Sequence, residues 1–237
     1  MGLVWRLEWR IALTRRRLFF LNVVVPLVLV SLVALGGAPA VHAGVVYAVL
    51  FVLHGTFGSA IPLVRDGETG LLLRTSRAGI RPGSLLLERA AAGTCLDALQ
   101  LAPSLAMVAW AAGPSPRSVF MASFALFGAL WVANLVGVLV AAAARSLAEA
   151  ALLAAVTALL LLHVSGVFRT GAPGSRSATL ESVAPFRALH ESLLGLQTAS
   201  TPGGITPLLG WAIVLPVVLA MASGRIVSLF RGADAGR

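Results

Sequence analysis

The charged segment between residues 64 and 89 reads VRDGETGLLLRTSRAGIRPGSLLLER. It holds eight charged residues, in a 237-residue chain that has only 18 basic and nine acidic residues in all. A long apolar stretch lies on either side of it. Because charged side chains are expensive inside a bilayer, a membrane protein keeps such a segment out of the lipid and on one face. The segment therefore divides the fold, and we expect a partner to bind there.

Apolar runs of near-bilayer length recur along the rest of the chain, which is 58% hydrophobic and only 11% charged. A helix that crosses a bilayer needs about 20 mostly apolar residues. The chain is therefore predicted to be an all-α membrane protein with six transmembrane helices. They form a single domain over residues 18–237, because no internal repeat and no second soluble domain is visible. The predicted spans cover residues 18–36, 41–64, 84–112, 118–144, 147–168 and 207–229.

The first 17 residues, MGLVWRLEWRIALTRRR, have the pattern of an amphipathic helix. Trp5 and Trp9 are four residues apart, as are Arg6 and Arg10, so each pair shares a helix face. Tryptophan favours the headgroup region and arginine favours anionic lipid. We predict that residues 1–17 lie on the membrane surface, with these four side chains as the anchor; a simple basic tail is the alternative.

Arginine positions predict the orientation of the spans. With a cytoplasmic N-terminus, the inside segments hold 14 arginines and the outside segments hold four. Cytoplasmic loops of membrane proteins carry such an excess of basic residues. We therefore expect a multi-pass protein of the cell (inner or plasma) membrane, with both termini and the charged segment in the cytoplasm. The same distribution explains the net charge of +9 without any nucleic-acid partner.

Catalytic motifs are missing from the sequence. The chain has no lysine, so it cannot contain the phosphate-binding motif G-x-x-x-x-G-K-[ST]. His190-Glu191 begins a zinc-protease motif, but Leu194 stands where the second histidine would be needed. The four histidines have no spacing typical of metal ligands, and Cys95 lies alone within a predicted span. We expect no enzyme activity and no metal or other cofactor in this chain; an intramembrane enzyme is only a remote third possibility.

Polar residues occur inside two predicted spans. Asp97 lies about 12 Å of helix rise beyond the charged segment, with Thr94, Gln100 and Ser104 continuing a polar stripe. Asn134 in the fourth span is a candidate neighbour of Asp97. An intramembrane acid suggests a functional site by default. Two interpretations remain open, a polar contact between helices that involves Asp97, Gln100 and Asn134, and a contact with substrate or an ion.

A second polar interruption separates the last two predicted spans. Within residues 178–198, the side chains of Phe186, Leu189, Leu193 and Leu196 recur at helical spacing. This stretch is too polar for a full span and too apolar for a free loop. We predict a re-entrant or interfacial hairpin at the outer leaflet, or alternatively a helix lying over the bundle as a lid.

The charged segment is predicted to contain a short surface helix, formed by Glu68-Thr69-Gly70, the leucines at 71–73 and Arg74. Acidic residues suit its start and arginines its end. Gly79 would stop this helix and Pro82 would begin the next one. A short helix with charge and an apolar triplet can press into a groove on a soluble partner, whereas the alternative is an ordinary solvated loop.

This order of features resembles the permease subunits of type-2 ABC exporters, which carry an N-terminal interfacial helix, six spans and an acidic-Gly-Leu segment after span 2. The matching stretch here runs from Arg65 to Ser76. Pro185-Phe186 and Leu194-Gly195 resemble the family's outer segment before the last span. The usual proline after the leucines is absent, and Glu88-Arg89 replaces the usual Gly-Lys.

The resemblance implies a transport subunit that exports a hydrophobic or amphipathic cargo and is powered by a separate cytoplasmic ATPase, which binds ATP and Mg²⁺. It also implies a second permease copy, as a homodimer or a similar heterodimer. Residues 65–83 would be the coupling segment, with a coupling helix at 65–78 seated in the ATPase. The implied contact residues are Asp66, Glu68, Thr69, Gly70, Leu71, Leu72, Leu73, Arg74 and Arg77.

Two alternative functions accompany this interpretation. The N-terminal Arg6-Leu7-Glu8-Trp9-Arg10 and the charged segment are also similar to the haem-exporter B subunit of cytochrome c maturation, which would be the nearest relative. A non-transporting membrane scaffold or assembly protein, with the charged segment as its docking site, belongs to a different functional class. Partner binding that does not depend on nucleotide would indicate the scaffold.

Overall fold

The computed structural model of the chain describes residues 3–72, 74, 79–113, 115–172, 174–198 and 204–232. Over these residues the secondary structure consists of helices, without strands. Six of the helices (α2 to α6, and α9) are long and apolar enough to cross a bilayer, which confirms the predicted all-α membrane fold with six spans. In chain order the helices are α1 (Leu3–Thr14), α2 (Arg16–Leu35), α3 (Ala40–Glu68), α4 (Pro82–Ala112), α5 (Pro116–Ala143), α6 (Leu147–Val164), α7 (Arg176–Val183), α8 (Arg187–Thr198) and α9 (Thr206–Gly232).

Helix α5 is the centre of the bundle and packs most extensively against α3. Small residues bring the two helices close together. A side chain on Gly137 of α5 would collide with the backbone oxygen of Thr56 in α3, and a Cβ on Gly55 would lie 3.0 Å from the Cβ of Ala133. Because lipid tails are as apolar as the side chains, close contact of this kind holds membrane helices together.

Helices α2 and α6 lie at the edge of the bundle. Helix α6 buries one narrow stripe of Ala150, Ala154, Ala158 and Leu162, spaced four residues apart, and it packs mainly on α3. Helix α2 packs mainly on α4, and only 11% of its apolar 18-residue stretch is buried in the bundle. Both helices therefore expose apolar faces, which suit either lipid or a second polypeptide.

The N-terminal helix is shorter than predicted. The expected helix over residues 1–17 ends at Thr14, whose hydroxyl donates to the backbone oxygens of Arg10 and Ile11 at 2.9 Å each. Arg15 leaves the helical conformation (φ −89°, ψ 53°), and α2 begins at Arg16. Both α1 and α2 then pack against α4.

The second span is longer than predicted, and this changes the geometry of the charged segment. We expected the span to end at residue 64, with Glu68 opening a separate surface helix. Instead α3 continues to Glu68, so Asp66 and Glu68 belong to its last turn. The predicted surface helix therefore does not open at Glu68; residues 71, 72 and 74 are helical, after the turn at Thr69 and Gly70. Pro82 does begin α4, at the position in the first turn where its missing N–H is not needed.

The outer interruption folds as two short helices, α7 and α8. Ala184 is extended between them because it precedes Pro185, which disfavours the helical conformation at that position. The periodic side chains Phe186, Leu189, Leu193 and Leu196 are all buried. Helix α8 packs against α5 and α3, so its apolar face belongs to the core of the bundle.

Candidate functional site

The coupling segment leaves α3 through a tight turn. Gly70 has φ +70°, a conformation that favours glycine, and its N–H donates to the oxygen of Gly67. The chain then turns helically, with the N–H of Arg74 donating to the oxygen of Gly70 at 3.1 Å. Leu72 is buried in the bundle, whereas Glu68 and Arg74 are exposed. Leu72 thus anchors this turn to the membrane domain, and charged side chains face outward on either side of it.

The other predicted contact residues of the coupling segment are distributed as follows. Thr69 caps the end of α3 and is exposed, and its hydroxyl donates to the oxygen of Asp66 at 3.3 Å. Leu71 is half-buried. Leu73 and Arg77 were also predicted as contacts with the ATPase, and both lie outside the described residues.

A buried arginine ties three helices together beside the coupling segment. The Arg89 side chain, at the start of α4, is 8% exposed and forms ion pairs with Asp66 of α3 and Glu8 of α1. Its Nε lies 3.3 Å from Oε1 of Glu8. The half-exposed Arg65 lies 3.7 Å from the other oxygen of Asp66. We call Glu8, Arg65, Asp66 and Arg89 the charged cluster.

Electrostatics in the charged cluster depend on burial as well as on pairing. Burial raises the pKa of Glu8, and Asp66 acts in the same direction, while Arg89 and, more weakly, Arg65 oppose the shift. A guanidinium suits this position because its planar fork can bind two carboxylates at once. Loss of Arg89 would leave two largely buried acids without their shared counter-charge.

The predicted anchor on α1 has its two tryptophans on one face. The rings of Trp5 and Trp9 are half-buried, with centroids 6.2 Å apart, and Arg6 and Arg10 are exposed. This division of the helix matches the amphipathic pattern in the sequence. A position at the membrane surface stays a prediction.

Asp97, Gln100 and Asn134, the residues of the predicted intramembrane polar contact, lie together in the structure. Asp97 and Asn134 are hydrogen-bonded, whereas Gln100 is linked only through His54, whose Nε2 lies 3.6 Å from Asp97; we call this set the polar network. Nδ2 of Asn134 donates to Oδ2 of Asp97 at 2.8 Å and to the oxygen of Leu130 at 2.9 Å. The hydroxyl of Ser59 donates to Oδ1 of Asn134 at 2.5 Å. The polar network also includes Gln100, whose Oε1 lies 3.1 Å from Nε2 of His54. Both interpretations of Asp97 remain compatible with this geometry, because the network lines a cleft.

That cleft has a volume of about 600 Å³ and lies between α1, α2, α3 and α4. The charged cluster borders one end of it, and the polar network borders the other. Apolar and aromatic side chains, together with Arg15 and Asn22, line the remaining wall. A concave, mainly apolar site with a few polar groups is the usual form of a small-molecule site.

A family model described as ABC-2 type transporter matches residues 3–197. The chain belongs to this family. The match begins in α1 and ends in α8, so it includes the coupling segment, the charged cluster and the polar network. It does not single out the haem-exporter B subunit, and that narrower resemblance stays a prediction. No curated protein matches the chain.

As an ABC-2 permease, the chain is a multi-pass membrane subunit of an ABC transporter, and it serves transport rather than catalysis. Permeases of this family normally pair with an ATPase subunit. Among the described residues of the permease, no group of three or more His, Cys, Asp and Glu side chains could hold a metal ion.

Four residues of these sites were not predicted from the sequence. Glu8, Arg89, His54 and Ser59 each contact a residue far away in the chain, from 46 to 81 positions distant. The only local signal was that each is a polar residue in or beside an apolar run. That signal marks a residue as unusual, but it does not identify the partner.

Proposed function

We propose that the permease belongs to an exporter, that a separate cytoplasmic ATPase drives it, and that the coupling segment binds this ATPase. The ATPase binds ATP and Mg²⁺, and the permease itself needs no cofactor. The cargo is hydrophobic or amphipathic and moves outward. The mechanism is alternating access, in which closure of the ATPase pair moves the coupling segment and rigid helices carry that motion into the membrane.

The observation that carries this proposal is the position of the charged cluster. Arg89 joins α1, α3 and α4 through buried ion pairs immediately beside the coupling segment. Helix α3 runs without a break from its first residue to Glu68, next to the turn at Gly70. A push on the coupling segment would therefore move three helices together instead of bending a loose loop.

Orientation and oligomeric state are part of the same proposal. The charged cluster holds α1 and the coupling segment at one end of the bundle, and the excess of arginine there supports a cytoplasmic location for both. The exposed apolar faces of α2 and α6 suit a second copy of the permease, in a homodimer or with a similar subunit. Cargo would then pass between the two copies.

Two matched glycines allow a test of the coupling segment. Gly70 and Gly37 have nearly the same backbone conformation, with φ +70° and +68°, and a Cβ on either would have no atom within 4 Å. Alanine at either position therefore costs about 1 kcal/mol of local backbone strain without a steric clash. Gly37 lies before α3 and Gly70 lies after it, so they are at opposite ends of that helix.

Each variant is reconstituted in vesicles with the partner ATPase, and ATP hydrolysis and co-purification are measured. We expect Gly70→Ala to reduce permease-stimulated hydrolysis severalfold and Gly37→Ala to leave it unchanged. Equal hydrolysis in the two variants would contradict a coupling role for the segment. ATPase binding without any stimulation, in the native permease as well, would indicate the scaffold function instead.

A further inference from the structure

The cleft combines an apolar wall with a single deep acid. Its wall includes Phe19 of α2 and Phe57 and Ile61 of α3, together with Leu96 of α4. Asp97 lies at the inner end of the cleft, next to Gln100 and Ser59. Gly58 leaves this carboxylate uncovered, since a Cβ there would lie 3.0 Å from Oδ2 and 3.1 Å from Oδ1 of Asp97. Gly58 and Asp97 both line the cleft, so the carboxylate faces the cleft at this glycine.

Asp97 has fewer partners than its burial demands. Its side chain is 8% exposed, and a carboxylate has about four lone-pair sites that need donors. Oδ2 accepts the bond from Asn134, whereas Oδ1 lies 3.6 Å from Nε2 of His54, beyond hydrogen-bond distance. Asn134 has no further capacity, because its two N–H groups are directed at Asp97 and Leu130 and its oxygen accepts from Ser59.

Arginine does not neutralise Asp97. Within the part of the chain that the structure describes, Arg65 and Arg89 of the cleft pair with Asp66 and Glu8, and Arg15, which also lines the cleft, forms no ion pair with Asp97. Arg89 precedes Asp97 by eight residues on the same helix, a rise of about 12 Å. A buried acid is retained at low cost only when a counter-charge or enough donors reach it. The cleft is open to a molecule that could supply both.

We propose that the cleft binds an amphipathic amine, with its protonated nitrogen at Asp97 and its apolar body against Phe19 and Phe57. Gln100 and Ser59 line the same cleft and carry further oxygens that can accept hydrogen bonds. Aromatic faces add an attraction for organic cations that they do not offer to neutral molecules. A cleft of about 600 Å³ has the volume of a drug-sized ligand and is far too large for a bare metal ion.

The identification of this amine as cargo rests on the proposed transport function. The cleft begins beside the charged cluster, at the end of the bundle that carries the coupling segment. One side of the cleft is formed by α2, which packs mainly on α4 and much less on α3. An amphiphile in the leaflet on that side therefore has a route between α2 and α3.

The test uses the purified permease alone, in detergent and without nucleotide or ATPase. The probe is dansylcadaverine, a fluorescent primary amine that is protonated at pH 7, and its neutral match is N-acetyl-dansylcadaverine. Binding is measured by fluorescence anisotropy, with protein-free micelles subtracted. Asp97→Asn removes the charge but retains the acceptor for Asn134. Glu191→Gln is the matched control, because Glu191 is an acid on α8 outside the cleft, paired with Arg187.

We expect the native permease and Glu191→Gln to bind the amine at least about tenfold more tightly than the acetylated probe, and Asp97→Asn to lose that preference. Gly58→Ala crowds the carboxylate without changing any charge, so it should weaken amine binding as well. It replaces Asp97→Asn as the test variant if Asp97→Asn does not fold. Equal affinity for both probes, unchanged amine affinity in Asp97→Asn, or no binding of either probe overturns the proposal. Because no ATPase is present, these results are independent of the Gly70 test of the proposed function.

Discussion

Replacement of Arg89 by glutamine should destabilise the permease more than any other single arginine substitution in the cluster. Its guanidinium is 8% exposed, and the Asp66 and Glu8 side chains that it pairs with are 11% and 19% exposed. Breaking a buried ion pair by removing one partner typically costs about 3–5 kcal/mol, because the remaining charge has lost its compensation. Asp66 is the more buried of the two acids but keeps the half-exposed Arg65 at 3.7 Å, so both acids contribute to this cost.

The assay is thermal and denaturant-induced unfolding of the purified permease in one detergent, followed by tryptophan fluorescence. Arg117→Gln is the matched control, since Arg117 is an exposed arginine near the start of α5 without an ion pair to the described acids. We expect a loss of about 3 kcal/mol or more for Arg89→Gln and less than about 0.5 kcal/mol for the control.

A double substitution distinguishes charge compensation from simple loss of packing. Asp66→Asn combined with Arg89→Gln removes one of the two carboxylates that lose Arg89, so the double variant should be more stable than the sum of the single effects predicts, by about 1–3 kcal/mol. If Arg89→Gln lies within about 1 kcal/mol of the Arg117 control, or the two effects simply add, then the charged cluster does not hold the three helices together as described.

Two further predictions concern the rest of the bundle. Gly137→Ala should destabilise the permease by about 1–3 kcal/mol, because the new methyl group collides with the backbone of α3 at Thr56. Gly210→Ala is the control, because a Cβ at that position meets no atom within 4 Å. Equal unfolding midpoints for the two variants would contradict close packing of α3 and α5. Burial lowers the pKa of His190 below its ordinary value of 6.5, only partly opposed by Glu191, so the unfolded chain takes up a proton that the folded chain resists. His190 should therefore contribute a loss of stability as the pH drops below 6.5, and His190→Gln should reduce that loss in unfolding measured between pH 5 and 7.5. The same pH dependence in both proteins would show that His190 does not contribute.

Much of the fold could be predicted from the sequence, because the signals for it are local. Apolar runs of bilayer length determine six spans, and the spacing of Phe186, Leu189, Leu193 and Leu196 defines the buried face of α8. Pro82 marks the beginning of α4 through its missing N–H. The ends of α1 and α3 were less accurate, since tertiary contacts and not propensity decide where those two helices stop.

The candidate site was predictable only in part. Asp97, Gln100 and Asn134 stand out because polar residues are rare inside spans, and the structure places them together, with Asp97 bonded to Asn134 and Gln100 bonded to the adjacent His54. Their partners His54 and Ser59 could not be assigned, because nothing local specifies which face of α3 meets α4 and α5. The same holds for Glu8. Its pairing with Arg89 depends on the packing of α1 against α4, which the sequence does not specify.

Hydropathy and the spacing of charges along the chain were enough to specify a six-span α-helical membrane protein with a charged segment between its second and third spans. Bilayer thickness and the cost of burying charge act on each segment separately, so each can be judged without knowing its neighbours. Which acid pairs with Arg89, and which side chains surround Asp97, depends on how separate helices pack against each other. Only the tertiary structure could decide this, because ion pairs and hydrogen bonds act over a few ångströms between residues that are far apart in the chain.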